Sequence, residues 1–317
     1  MNAIINHEPL QYGDIVSLPF AGNGHLGVSL SIRSAIQLMP DIDTPFISTG
    51  YAPVVQIFSS VWAESSATMV HMNQGLVRRI QCFKNSDIHS ASVTHTLYAH
   101  RRRPSLIIQE INILNPSEQT LDLKYETKKQ ISTDGITQLD QQDLTLESVQ
   151  GAFLMTTNQI SIRQHKSIIY VLITNKDLPD SHVQPQGKDR RTIYTITKFS
   201  PLLSDESLRN KTALNQWQMS LQTQAKDELT AVLAIPYTDL FKEHLSAWSS
   251  IWESGFSLSR SLAPSAINGD VINRTVYYIL SSTPSPLYDL KIDEKQKNEL
   301  TQSLFQIEQC YESHSTL

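Results

Sequence analysis

Charge of one sign is what this sequence most plainly lacks. Its 26 lysines and arginines stand against 31 aspartates and glutamates, a net charge of -5 dispersed along 317 residues. Without a basic field or a polybasic arm the chain has no electrostatic footprint for a phosphate backbone, which excludes nucleic acid as a partner. Cysteine is scarce: Cys82 and Cys310 form no CxxC pair and permit at most one intramolecular disulfide. No stretch approaches the about 18 uninterrupted apolar residues of a membrane span, and the opening MNAIINHEPLQYGD has no basic segment followed by an apolar one. Taken by itself, the chain is expected to carry no targeting segment and to meet a membrane only through segments absent from it. Walker A, GxSxG, HExxH and EF-hand patterns are missing too. No catalytic residue, metal ligand or cofactor site is therefore nominated.

What is present is a globular composition, 40% hydrophobic, long enough for one large domain or a domain with an appendage. GNGHLG at 22–27 has the Gly-x-Gly-x-x-Gly spacing of a dinucleotide fingerprint, which requires a helix after the turn. The following LGVSLSIRSAIQLMP instead alternates, with Leu26, Val28, Leu30 and Ile32 on even positions and Ser29, Ser31 and Arg33 between them. That period of two predicts strands, and the glycines a tight turn between them; Asp41 and Asp43 are then turn residues and not ribose ligands. Strand patterns continue to about residue 200, with Leu121, Leu123 and Tyr125 alternating with polar residues and IIYVLIT at 168–174 suited to a strand buried on both faces. Tyr237, Leu240, Phe241, Leu245, Trp248, Ile251 and Trp252 then fall at helical spacing. A further helix is predicted around Ile272 to Leu280, and a capping signal at Asp293 to Gln296 opens a last one. The expected fold is mainly β over 1–235, followed by helices over 236–317.

Few residues invite chemistry. His100, Arg101, Arg102 and Arg103, with His95 nearby, form the one dense polar cluster. Its arginine forks suit an anion such as phosphate or a sugar acid, and its alternative is a solvated loop or edge strand beside Pro104. Trp248 and Trp252 form either a sugar-stacking platform or, at i, i+4 on an apolar face, core. His25 beside the glycines has no ligand partners at metal spacing. Glu64, Glu110 and Glu253 are conceivable carboxylates for glycoside chemistry, which needs two acids roughly 5–10 Å apart. Asn210 and Asn273 stand in glycosylation sequons, while Asn115 is disqualified by Pro116.

Taken in order, GNGHLGV, HMNQGLVRRIQCF, INILNP, HLSAWSSIWESGFSLS and INRTVYYILSS resemble the N-terminal β-sandwich and linker of the trehalose and kojibiose phosphorylase group. In that group "NGYLG", "G-x-L-x-R" and "H-x-x-x-W-x-x-x-W" precede a helical catalytic barrel. Asn23 to Gly27, Gly75 to Arg78 or Arg79, and His244, Trp248 and Trp252 occupy those places, with His25 where an aromatic is usual. A resemblance over nearly the whole chain, carried by GLVRRIQCF, LYAHRRRPSLIIQEINILNPSE and INRTVYYILSSTPSPL, is to an uncharacterised animal family of single-pass membrane proteins of the KIAA series, about twice this length. These resemblances imply a glycosidase-type β-supersandwich with a helical linker and C-terminal helices, in a lumenal or extracellular part of a membrane protein of the secretory pathway. In that setting Asn273 becomes a credible glycan site and a Cys82–Cys310 bridge is permitted by compartment. The implied function is a non-catalytic module whose candidate partner is a carbohydrate or a protein. The alternatives are the N-terminal portion of an α-glycosidase or phosphorylase, and a soluble cytosolic binding protein.

Overall fold

The computed structural model describes residues 3–8, 19–31, 33–40, 46–59, 63–84, 90–127, 134–145, 152–162, 166–253, 269–285 and 292–298. Its centre is one large antiparallel sheet built from two runs of consecutive hairpins. The first run is β7 (Ala63–His71), β8 (Leu76–Lys84), β9 (Ser90–Ala99) and β10 (Leu106–Leu114), edged by β1 (Ala3–Glu8). The second is β12 (Ile136–Thr145), β13 (Ala152–Ile162) and β14 (Lys166–Asn175). Strand β16 (Lys188–Phe199) joins them, pairing with β10 on one side and β14 on the other, and β17 (Leu203–Ser204) adds to β14.

Two smaller sheets belong to one face. One is β2 (Phe20–Gly22), β3 (Leu26–Ser29), β4 (Gln37–Leu38) and β5 (Ile47–Ser48); the other is β6 (Val55–Ser59), β11 (Leu121–Thr127) and β15 (Ser181–Val183). Leu26, Val28 and Leu38 pack with Val77, Leu97, Ile107 and Tyr170, and Val55, Leu121 and Val183 with Val93, Ile111 and Ile193. The opposite face carries Tyr98, Leu106, Ile108, Ile169 and Ile196 against helices α2 (Lys211–Leu233) and α3 (Tyr237–Glu253). Short α1 (Asp205–Arg209) precedes α2, and α4 (Gly269–Ser282) follows α3. Because a strand's side chains alternate, β14 feeds both cores: Ile168, Tyr170 and Leu172 go one way, Ile169, Val171 and Ile173 the other. That is why 168–174 reads as an unbroken apolar run.

The mainly β, glycosidase-type expectation therefore holds, with helices at the C-terminal end. Strand gives way to helix at Ser204, and α2 packs on the large sheet. The glycine turn falls between β2 and β3, two antiparallel strands, as the alternating pattern predicts. The asparagine of INILNP is a lock: Asn115 is buried and its amide donates to the carbonyls of Gln119 at 2.7 Å and Val183 at 3.1 Å, holding the β10–β11 turn to β15. The capping signal is also real, since Gln296 N–H donates to Asp293 Oδ1 at 2.8 Å while Gln296 Oε1 accepts from Asp293 N–H at 3.1 Å. Asp41, Asp43 and Cys310 lie outside the described residues, as do the side chains of Glu64 and Glu253.

Candidate functional site

His100, Arg101, Trp248 and the glycine turn, which stood out in the sequence, meet at one place, the seam where α3 and α4 dock on the sandwich. The loop between β9 and β10 is its hinge. His100 and Arg101 there are 0% and 3% exposed, so the cluster is neither an open anion cradle nor a solvated loop. Of the four residues only Arg102, with 59% of its side chain exposed, has the solvated character expected of all of them. His100 Nε2–H donates to the Leu240 carbonyl of α3 at 2.9 Å, and its Nδ1 accepts the Arg103 backbone N–H at 3.2 Å. His244 on α3 repeats the pattern, donating to the Gln74 carbonyl at 2.9 Å and accepting the Arg101 backbone N–H at 3.1 Å. A ring nitrogen that accepts an N–H carries no proton, so both imidazoles are neutral and fixed in one tautomer. Burial agrees, lowering His100 to about 4 and His244 to about 3, with neighbouring cationic groups adding to the shift.

Arg101 reaches inward and donates to the Leu280 carbonyl near the end of α4 at 2.8 Å, with its guanidinium 5.6 Å from the centre of the Trp248 ring. It thus supplies a cation where helix carbonyls are left over. Trp248 is fully buried, donates Nε1–H to the Met72 carbonyl at 2.7 Å, and lies against Gly75. A Cβ on Gly75, whose φ is 64°, would sit 2.3 Å from that indole. Trp248 has no face for a sugar, which corrects the stacking-platform option; Trp252 packs half-buried against the same core.

The glycine turn completes the joint. Asn23, 1% exposed, donates from Nδ2 to the carbonyls of His100 at 3.1 Å and Pro104 at 3.2 Å, while its Oδ1 accepts from His25 N–H at 3.0 Å and Leu26 N–H at 2.8 Å. All four of its bonding positions are used. Gly24 N–H donates to the Ser281 carbonyl at 2.9 Å. With φ at 86°, a Cβ on Gly24 would lie 2.1 Å from backbone atoms of Thr283 and Pro284. The glycines are there so that α4 can end against a bare backbone. Sequence spacing alone offers no sign of this, because the partner lies about 260 residues away.

Outside the seam core, Lys198, Glu228, Arg103 and Glu243 form an alternating chain of charge across β16, α2, the hinge loop and α3. Lys198–Glu228 is 3.4 Å, Arg103–Glu228 3.9 Å and Arg103–Glu243 3.2 Å. Since Arg103 grips both helices, Glu228→Gln and Glu243→Gln are each expected to lower the unfolding free energy by about 1 kcal/mol, read by denaturant titration.

Glu110 is 9% exposed and paired with Arg190 at 2.6 Å, and Arg190 stacks on Tyr237 at 4.1 Å. Glu110 is therefore held as the partner of Arg190. No metal-holding group of His, Cys, Asp or Glu occurs among the described residues. Asn210 caps α2, its Oδ1 accepting Thr212 N–H at 3.0 Å, and is exposed; Asn273 is half-buried within α4. Cys82 stands half-exposed on β8.

This is a glycosidase-type sandwich whose helical linker is bound on by buried polar side chains. The same fold occurs in a solved structure described as a kojibiose phosphorylase from human microbiome, with a TM-score of 0.58 and 11% identity over 88% of this chain and 41% of that one. The chain belongs to the uncharacterised conserved protein family DUF2152, whose model matches residues 6–317. Curated relatives are the uncharacterised protein KIAA2013 homologs of Xenopus tropicalis and Xenopus laevis, each 25% identical over 96% of this chain. The chain spans about half the length of these relatives, 51% in both cases.

Proposed function

We propose that this chain is a non-catalytic structural module that presents a helical region to the rest of a longer membrane-anchored protein, on the lumenal or extracellular side. One observation carries the reading. Asn23, Gly24, Gly75, His244 and Trp248, on which the resemblance to the phosphorylase group rests, are spent on joining helices to sandwich. Shared fold does not transfer activity. Purified chain given phosphate with kojibiose or trehalose is expected to release no sugar phosphate; turnover above a buffer blank would overturn the reading.

The exposed position of Asn210 supports the compartment, since a sequon asparagine at the surface can carry a glycan while its Oδ1 still caps α2. The full-length protein, expressed in animal cells, is expected to shift on endoglycosidase treatment, and Asn210→Gln to remove part of that shift. An unshifted protein would remove the glycan as a support for that compartment.

A second reading, the N-terminal portion of a carbohydrate-active enzyme, is favoured by the match to the phosphorylase over only 41% of its length. In that case the full-length protein would phosphorolyse or hydrolyse a disaccharide while the present chain would not.

A further inference from the structure

A hollow of about 200 Å³ lies over β12, β13 and β14, on the face of the large sheet that carries the two smaller ones. Its wall is the segment after β5, Thr49 to Tyr51, tied to the floor at two points: the Tyr170 hydroxyl donates to the Thr49 carbonyl at 2.9 Å, and the Tyr51 hydroxyl to Thr174 Oγ1 at 3.1 Å. The hollow is therefore preformed. Its rim comes from an irregularity. Residues three apart on a regular strand point to opposite faces, yet Gln138 and Gln141 both line the hollow. They do so because β12 bulges between Gln138 and Asp140, which sets Gln138 opposite Asn158 and Gln141 opposite Thr156. Gln138 Nε2 then donates to Gln141 Oε1 at 3.3 Å.

The groups so gathered reach solvent. Gln138 and Gln141 are exposed and Thr156 is half-buried. Asn158 Nδ2 donates to Thr156 Oγ1 at 3.2 Å, and no hydrogen bond reaches Asn158 Oδ1 among the described residues. No lining residue is charged. The bulge turns Asp140 to the opposite face, where its carboxylate accepts from Gln222 of α2 at 2.9 Å. Asp143, which the register places beside the hollow, is paired with Lys176 at 2.6 Å, and Asp177 lines a separate hollow beyond Tyr51. An ionic guest would give up its hydration with no opposite charge to replace it, and an apolar one would strip water from the amides. A peptide strand would need an open sheet edge for its backbone, whereas this hollow lies on a sheet face. Side-chain amides both donate and accept, as sugar hydroxyls do. The size, below the ~300–1,000 Å³ of drug-sized pockets, admits one ring. We propose that this hollow binds a single neutral sugar ring, free or at the end of a glycan. The proposal stands apart from the structural reading above, since it uses none of the seam residues.

Saturation-transfer NMR on the full chain tests it with the methyl glycosides of glucose, galactose and mannose as probes, and with cyclohexanol and glucuronate as controls. At least one glycoside is expected to bind, with affinity about tenfold weaker in Gln141→Ala and in Asn158→Leu. Gln141 is exposed, so its variant is expected to melt with the parent; weaker binding at an unchanged Tm separates contact with the sugar from loss of fold. A trisaccharide ending in the hexose that binds distinguishes the sources: binding assigns the site to a glycan end, refusal to a free sugar. Binding of no glycoside, preference for cyclohexanol or glucuronate, or glycoside binding unchanged in both variants would each overturn the assignment.

Discussion

Moving the protein from pH 7 to pH 5 is expected to remove about 2 kcal/mol of stability for each buried neutral histidine, because the unfolded chain takes up a proton there and the folded chain does not. Three residues qualify. Burial lowers His95 to about 4, with Arg79 adding to the effect. It lowers His100 to about 4, with Arg103 and Arg102 adding, and His244 to about 3, with His100 and Arg101 adding. The folded-state values lie below the ordinary 6.5, so the contribution is complete above that pH and is lost as pH falls towards 4 or 3. Hydrogen bonding points the same way: His100 and His244 each use one ring nitrogen as an acceptor, and a second proton would face a backbone N–H. Summed over three sites, the loss of about 6 kcal/mol rivals the whole stability of many domains. Denaturant titrations at pH 7, 6 and 5 should show the midpoint falling steeply, and His244→Gln should flatten the slope by about one proton. A midpoint independent of pH between 7 and 5 would mean these imidazoles are not held neutral.

Trp248→Ala is expected to cost about 3–5 kcal/mol, the range for deleting a large buried aromatic. The substitution leaves a hole between Gly75, His244 and Tyr277, strands the Met72 carbonyl without its 2.7 Å donor and removes the aromatic ring beside Arg101. Trp248→Phe refills much of the volume and should recover part of the loss but not the hydrogen bond. Equilibrium unfolding of both variants separates packing from the polar contact. A Trp248→Ala protein as stable as the parent would show that α3 is not anchored here.

Much of the fold could be read from periodicity. Alternation predicts the strands around Leu26 and Leu121, the unbroken run at 168–174 a strand buried on both faces, and the stripe from Tyr237 to Trp252 the helix α3. Each of these signals is local, since a side chain's direction depends on its position in the repeat. The seam was legible only as a set of unusual residues. Arg101 looked like a surface cation because arginine is rarely buried, and its partner, the Leu280 carbonyl, lies 179 residues on. Asn23 and Gly24 likewise bond to backbone far away in the chain, and backbone partners leave no trace in sequence.

The central claim, that the glycine turn and its neighbours join helices to sandwich, is tested most directly by amide hydrogen exchange on the parent and on Gly24→Ala. The added Cβ meets the backbone of Thr283 and Pro284, so the account predicts faster exchange through α4 and in α3, while β10 and β14 keep their protection. Unchanged exchange in both helices would contradict it, and would return the glycines to the role of a simple turn.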